Sequence, residues 1–286
     1  TKVAGAWATG GNLNTARSQG ASAGAASATA SIVFGGSPPN LAIAETYDGS
    51  SWTEVGDLNT GRARIAGAGA SQTAALGFGG EVSPKQQNEL WNGTSWTEVS
   101  GDLNTGRAGH TGAGTTTAAL STGGKIGENF QVINELYDGS SWTEDADLNT
   151  ARAYLSVTGT TAAALAAGGS SPYTAVSEEY NGTAWAEGNN LNAAKAYIEA
   201  GFGTQTSSII GGGYNPTAPA IKATTEHYDG TSWSELADLG TASYGGMGGG
   251  SSSAGIYAGG QVPSATANTH EWDWSSTLAA GAWASG

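Results

Sequence analysis

Cysteine is absent from the 286 residues, which excludes a disulfide frame, a thiolate nucleophile and a cysteine zinc site. Proline occurs only 7 times, and no apolar run approaches the about 20 residues a membrane-spanning helix needs. Positive charge is scarce, with 10 Lys and Arg against 24 Asp and Glu and a net charge of −14. So acidic a chain is repelled by nucleic-acid phosphates and anionic membrane surfaces, so neither nucleic-acid binding nor membrane insertion is expected. The three histidines, His110, His227 and His270, lack metal-ligand spacing, and no metal or cofactor is expected. The chain begins at Thr1, as a processed chain or a piece of a longer one would.

What is abundant is glycine, 47 residues, together with 10 Trp and 10 Tyr. Glycine without a strict three-residue period excludes collagen, and regularly spaced aromatics exclude disorder. The spacing comes from an internal repeat, the feature that decides the fold. Tyr47-Asp48-Gly49-Ser50-Ser51-Trp52 returns as Trp91 to Trp96, Tyr137 to Trp142, Tyr180 to Trp185 and Tyr228 to Trp233. A double glycine recurs at Gly35-Gly36, Gly79-Gly80, Gly123-Gly124, Gly168-Gly169, Gly211-Gly212 and Gly259-Gly260.

Each copy reads as four short strands. The first, A, is a small-residue stretch (Gln19 to Ala26). Strand B is Ser31 to Phe34, strand C is Glu45 to Tyr47, and strand D is Trp52 to Val55. Asp48-Gly49 is a tight-turn signal. The prediction is an all-β, six-bladed β-propeller with four antiparallel strands per blade, forming one domain over 1–286. Its repeats run over about 13–52, 58–96, 103–142, 148–185, 191–233 and 239–277. Strand A, nearly free of large side chains, suits the crowded axis. The Tyr/Trp pairs, with Leu58 and its equivalents, fill the space between blades. The sixth copy has Trp272 but Thr277 where the second aromatic should stand. Trp7 precedes Leu13 by the interval that separates Trp52 from Leu58, so residues 1–12 are expected to supply the missing strand and close the ring. The competing candidate is Trp283, in Ala279 to Ser285, whose likeness to Val3–Thr9 also points to continuing repeats, with residues 278–286 a tail or the start of a following segment.

The double glycine, Glu-x-Tyr-Asp, the Trp five residues past the Tyr and the Arg opening each copy resemble the Kelch-repeat family. The wording Asn-Gly-Thr-Ser-Trp and Asp-Leu-Asn-Thr-x-Arg is similar to Kelch-like virion proteins of marine bacteriophages. That resemblance implies a particle or appendage component, at a virion surface or otherwise extracellular.

Alternating strand direction puts the B–C loops and the D–A connections on one face. The B–C loops vary in length and wording and hold every proline, as well as Lys85, Lys125, Phe130, Tyr173, Tyr214 and Lys222. Variable loops on a rigid scaffold are where recognition sits, although they also read as plain connectors. Arg17, Arg62, Arg107, Arg152 and Lys195 share one repeat position on the same face. They form either an open cationic ring that would hold carboxylates or sulfates, or buried pairs with the repeated Glu45, Glu89, Glu135, Glu178 and Glu226. The sixth copy has Ser243 and His270 at these two positions, losing both charges together.

The expected function is a non-enzymatic binding module recognising a surface glycan or protein, or other virion or appendage subunits, through the B–C/D–A face. A purely architectural spacer is the alternative. An enzyme is not expected. A copper oxidase resembling galactose oxidase needs a cysteine, and a sialidase-like glycosidase needs an asymmetric arginine cluster and distinct carboxylates. Gly123-Gly124-Lys125 is no phosphate loop.

Overall fold

In a computed structural model, described over residues 5–24, 27–82, 86–170, 172–217 and 219–274, the repeats form a six-bladed propeller. Blade 1 is Ala21–Ala23, Ser31–Phe34, Ala44–Tyr47 and Trp52–Val55, hydrogen-bonded in sequence order and antiparallel throughout. Blades 2 to 5 repeat this order with innermost strands Ala66–Ser71, Thr111–Gly114, Ser156–Thr160 and Phe202–Thr204. Blade 6 is Met247–Ser251, Ala254–Ala258 and Thr269–Asp273, completed by Ala6–Thr9 from the chain's start. Trp7 lies opposite Trp272 there, as Trp52 lies opposite Tyr47 in blade 1. The ring is closed by strand exchange between its ends. Thr277 and Trp283 lie outside the described residues.

Local chemistry explains the repeat. The carboxylate of Asp48 accepts the backbone N–H groups of Ser50 and Ser51, both at 2.8 Å, and Gly49 takes φ 95°, which tightens the C–D turn. Those hydrogen bonds pull the Asp48 pKa down to about 2. Asn92, Asp138, Asn181 and Asp229 hold the equivalent turns. The double glycine serves close approach: Gly36 donates to the Arg62 carbonyl of the following connection at 2.8 Å, and a Cβ on Gly35 would sit 2.7 Å from that carbonyl. In blade 5 the left-handed pair is Gly212-Gly213 (φ 71° and 113°). Gly211 instead ends strand B, so the expected pairing is displaced by one residue.

The core sits between blades. Leu13, Val33, Tyr47 and Trp52 of blade 1 pack on Met247, Ile256 and Ala258 of blade 6, and the same contact recurs around the ring. Trp7 is partly buried, and Tyr47, Trp52, Trp91, Trp96, Tyr137, Trp142, Tyr180, Trp185, Tyr228 and Trp233 are buried, filling the wedge as aromatic payload. Five of the six D–A connections bridge to the start of a B–C loop, as Ser18 does to Ser37 and Ala153 to Ser170, and in blade 2 Glu81 donates to the Ala63 carbonyl at 3.0 Å. Both loop sets therefore share one face.

Candidate functional site: a tyrosine-lined cavity on the loop face

Of the two arrangements open to the repeated cations, the buried pairs form, which corrects only their placement in a binding site. Arg17, Arg62, Arg107, Arg152 and Lys195 have no exposed side-chain surface, and each is ion-paired to the repeated glutamate. Arg17 meets Glu45 at 2.7 Å and Lys195 meets Glu226 at 3.1 Å. The second glutamate oxygen is also occupied, because Glu45 Oε2 accepts the Asn14 backbone N–H at 2.7 Å and its side-chain amide at 2.8 Å. Asn59, Asn149 and Asn192 repeat the clasp on Glu89, Glu178 and Glu226. Burial pulls Arg152 down to about 10, opposed by Glu178. An open cationic ring is not formed. Burying a charge is tolerable only when it is paired and hydrogen-bonded, and these positions serve to clasp each connection onto the next blade. Blade 6 replaces the whole clasp with Gly240, Ser243 and His270.

Two residues beyond each clasp cation, and beyond Ser243 in blade 6, the chain turns left-handed at Gln19, Arg64, Gly109, Tyr154, Tyr197 and Gly245, with φ between 53° and 64°. These six link backbone to backbone. Arg64 donates to Gln19 (2.7 Å), Gly109 to Arg64 (3.1 Å), Tyr154 to Gly109 (2.8 Å), Tyr197 to Tyr154 (2.8 Å), Gly245 to Tyr197 (2.8 Å) and Gln19 to Gly245 (2.7 Å). The outcome is a closed circle of hydrogen bonds around the axis, one residue from each blade. Glycine is the inexpensive residue at such a φ, yet four blades keep a larger side chain.

Those side chains build the site. Gln19, Arg64, Tyr173, Tyr197, Tyr214, Tyr244 and Gln261 line a cavity of about 400 Å³. Tyr197 stacks on Tyr154 with ring centroids 4.3 Å apart and meets Tyr214 and Tyr244 edge-on. Tyr214 lies 5.8 Å from Tyr173 and 5.3 Å from Tyr244. Arg64 lies over the Tyr154 ring at 5.2 Å, is ion-paired with Glu81 and donates to the Gln19 side chain at 3.2 Å. Burial raises the Tyr197 hydroxyl to about 12, so that hydroxyl stays neutral.

Near the axis a narrow channel of about 80 Å³ is lined by strand A glycines, alanines, serines and threonines, with Glu199 and His110 in its wall. Glu199 lies two residues beyond Tyr197, where blades 1 and 2 carry Ala21 and Ala66. Its Oε2 is buried without a hydrogen-bond partner, and burial lifts its pKa to about 7. His110 Nδ1 shares a hydrogen bond with Ser121 Oγ at 2.8 Å, and burial pushes its pKa well below the usual range. Among the described residues no group of three or more His, Asp or Glu is placed to hold a metal.

Of the loop residues singled out in the sequence, Tyr173 and Tyr214 enter the cavity. Phe130 packs beside Tyr154 and Tyr197. Lys125 stands at its edge, 6.0 Å over the Tyr154 ring and 3.8 Å from Glu128. Lys222 turns into its own loop, donating to the Thr217 and Pro219 carbonyls, and so is not brought to the cavity. Lys85 lies outside the described residues. Sequence reasoning missed Gln19, Arg64, Tyr154, Tyr197, Tyr244, Gln261 and Glu199. A signal existed: four of the ten tyrosines hold the core position of the repeat and Tyr257 is buried in strand B, whereas the other five fill no repeated tyrosine position; Tyr173, Tyr197, Tyr214 and Tyr244 line the cavity and Tyr154 stacks on Tyr197.

Fold and site together define a closed six-bladed β-propeller with an asymmetric aromatic cavity on its loop face. No protein-family profile matches the chain, and no curated protein matches its sequence at a significant level.

Proposed function

We propose that the chain is a non-enzymatic binding module of the Kelch-like type, carried on a phage particle or cell surface, that recognises a surface glycan or protein through the loop face. One observation carries this reading: every tyrosine not used by the core gathers at one cavity, on connections held rigid by the backbone circle. Tyrosine offers large, stiff contact area with a polar tip at small entropic cost, which suits recognition. Supporting the surface setting are the virion-like wording of the turns and the net charge of −14. A sialidase-like reading would need free arginines, and the repeat cations are consumed in clasps.

The test is a glycan-array and surface-protein screen with the purified chain and with its Tyr197→Ala/Tyr214→Ala variant. Binding by the wild type and at least about tenfold loss in the variant is expected, since aromatic anchors carry most of an interface's energy. Undiminished binding by the variant would move the site elsewhere. Turnover of a sialoside or another glycoside would replace the reading with an enzymatic one. Particle or envelope binding that ignores the loop face altogether would favour an architectural disc.

A further inference from the structure

Every cation along the D–A connections is already committed. The clasp residues are sealed against glutamates, and Arg64 is paired with Glu81 and held by Gln19. Glu199 is different: a carboxylate at the channel wall with an unpartnered buried oxygen. It lies close enough to Arg64, Tyr154 and Tyr197 for its charge to bear on theirs. The tyrosine faces are themselves electron-rich, and the cluster already holds two of the chain's own cations over one ring, Arg64 at 5.2 Å and Lys125 at 6.0 Å above Tyr154. Among the described residues, no such cation stands over Tyr173, Tyr197, Tyr214 or Tyr244.

Resting on the binding-module reading, we propose that the group entering this cavity is an alkylammonium, seated on the faces of Tyr197, Tyr214 and Tyr244 with Glu199 as its counter-charge. Aromatic faces attract such cations through their quadrupole, more strongly where water is excluded. The chain's acidity adds long-range steering toward a positive ligand. The same ammonium can come from a lysine side chain of a partner protein or from an amino sugar, and the shared chemistry is what the cavity reads.

The probe is choline, measured calorimetrically beside its neutral isostere 3,3-dimethyl-1-butanol. Choline binds about tenfold or more tighter than the isostere, and Glu199→Gln and Tyr214→Ala each remove most of that preference while the fold, followed by circular dichroism, is kept. Choline affinity also rises with pH through about 7 as Glu199 ionises. Around it, His110 is already neutral there and Tyr154, Tyr197 and Tyr257 stay neutral, while the Arg64 guanidinium faces it. Acetyl-lysine-amide with a free ε-ammonium, compared with glucosamine and with glucose, then identifies the source. Equal binding of choline and its isostere, or no choline binding at all, overturns the proposal. Glucose or another neutral sugar binding in the wild type but not in Tyr197→Ala/Tyr214→Ala would leave the cavity as the site and defeat only its charge preference.

Discussion

Gln19, Arg64, Tyr154 and Tyr197 are L-residues held at φ 53–58°, a region that costs a non-glycine residue on the order of 1 kcal/mol. Blades 3 and 6 use Gly109 and Gly245 at the same position, so the backbone circle does not need the side chains; the cavity does. Gln19→Gly is therefore expected to stabilise the fold by about 0.5–1 kcal/mol in urea unfolding, while removing a polar group from the cavity wall. A second residue-scale prediction concerns the wedge tryptophans. Trp52 donates from Nε1 to Thr269 and Trp7 to Thr225, each at 2.9 Å, both acceptors opening a strand C. Blade 1 carries Ala44 at that place, packed in one cluster with Trp96, whose buried Nε1 has no partner. Ala44→Thr should supply the acceptor and raise stability by about 1 kcal/mol, seen as a higher denaturation midpoint at an unchanged slope.

At the scale of the element, the unit is the clasped connection: a leucine in the wedge, an asparagine and a cation on one glutamate. Removing one partner leaves a buried charge exposed to nothing but protein. Arg152→Met should cost about 3–5 kcal/mol, and the double change Arg152→Met/Glu178→Met far less than the two single losses combined. Additive losses in that cycle would mean that the residues act independently. Legibility also divides at this scale. The clasp could be read from the sequence because copy six loses Arg and Glu together. The blades could be read because one phrase recurs with a constant interval between its aromatics. Expecting strand A to begin at Gln19 failed, because the residues before Ala21 turn left-handed to join the axial circle, an arrangement that needs all six blades in place.

For the whole molecule the division has a physical reason. Positions filled alike in every copy are consumed by the fold, since each must make the same wedge, turn or clasp. A cavity on the axis is asymmetric, so its residues are those that break the repeat. Tyr173 comes from a B–C loop of blade 4 and Gln19 from the entry to blade 1, and only ring closure makes them neighbours. Two titratable groups near the axis, His110 buried and Glu199 half-buried with its Oε2 sealed off, give the molecule a pH signature. Glu199 has its folded pKa raised to about 7, so its contribution is fully present below its ordinary value near 4.5 and is lost as pH rises through about 7. His110, depressed by burial, acts oppositely: stability is lost as pH falls below its unfolded value of about 6.5. Glu199→Gln is therefore expected to stabilise the chain by about 1–2 kcal/mol at pH 8 and to change little at pH 5. A pH-independent effect in thermal unfolding would show that Glu199 is not the buried acid described.

The most direct measurement is a crystal structure of the chain soaked with glucosamine at neutral pH. Density between Tyr173, Tyr197, Tyr214 and Tyr244, with the amine turned toward the channel wall, is the predicted result. A ligand bound only on the face of the C–D turns, with the tyrosine cavity empty, would contradict the account.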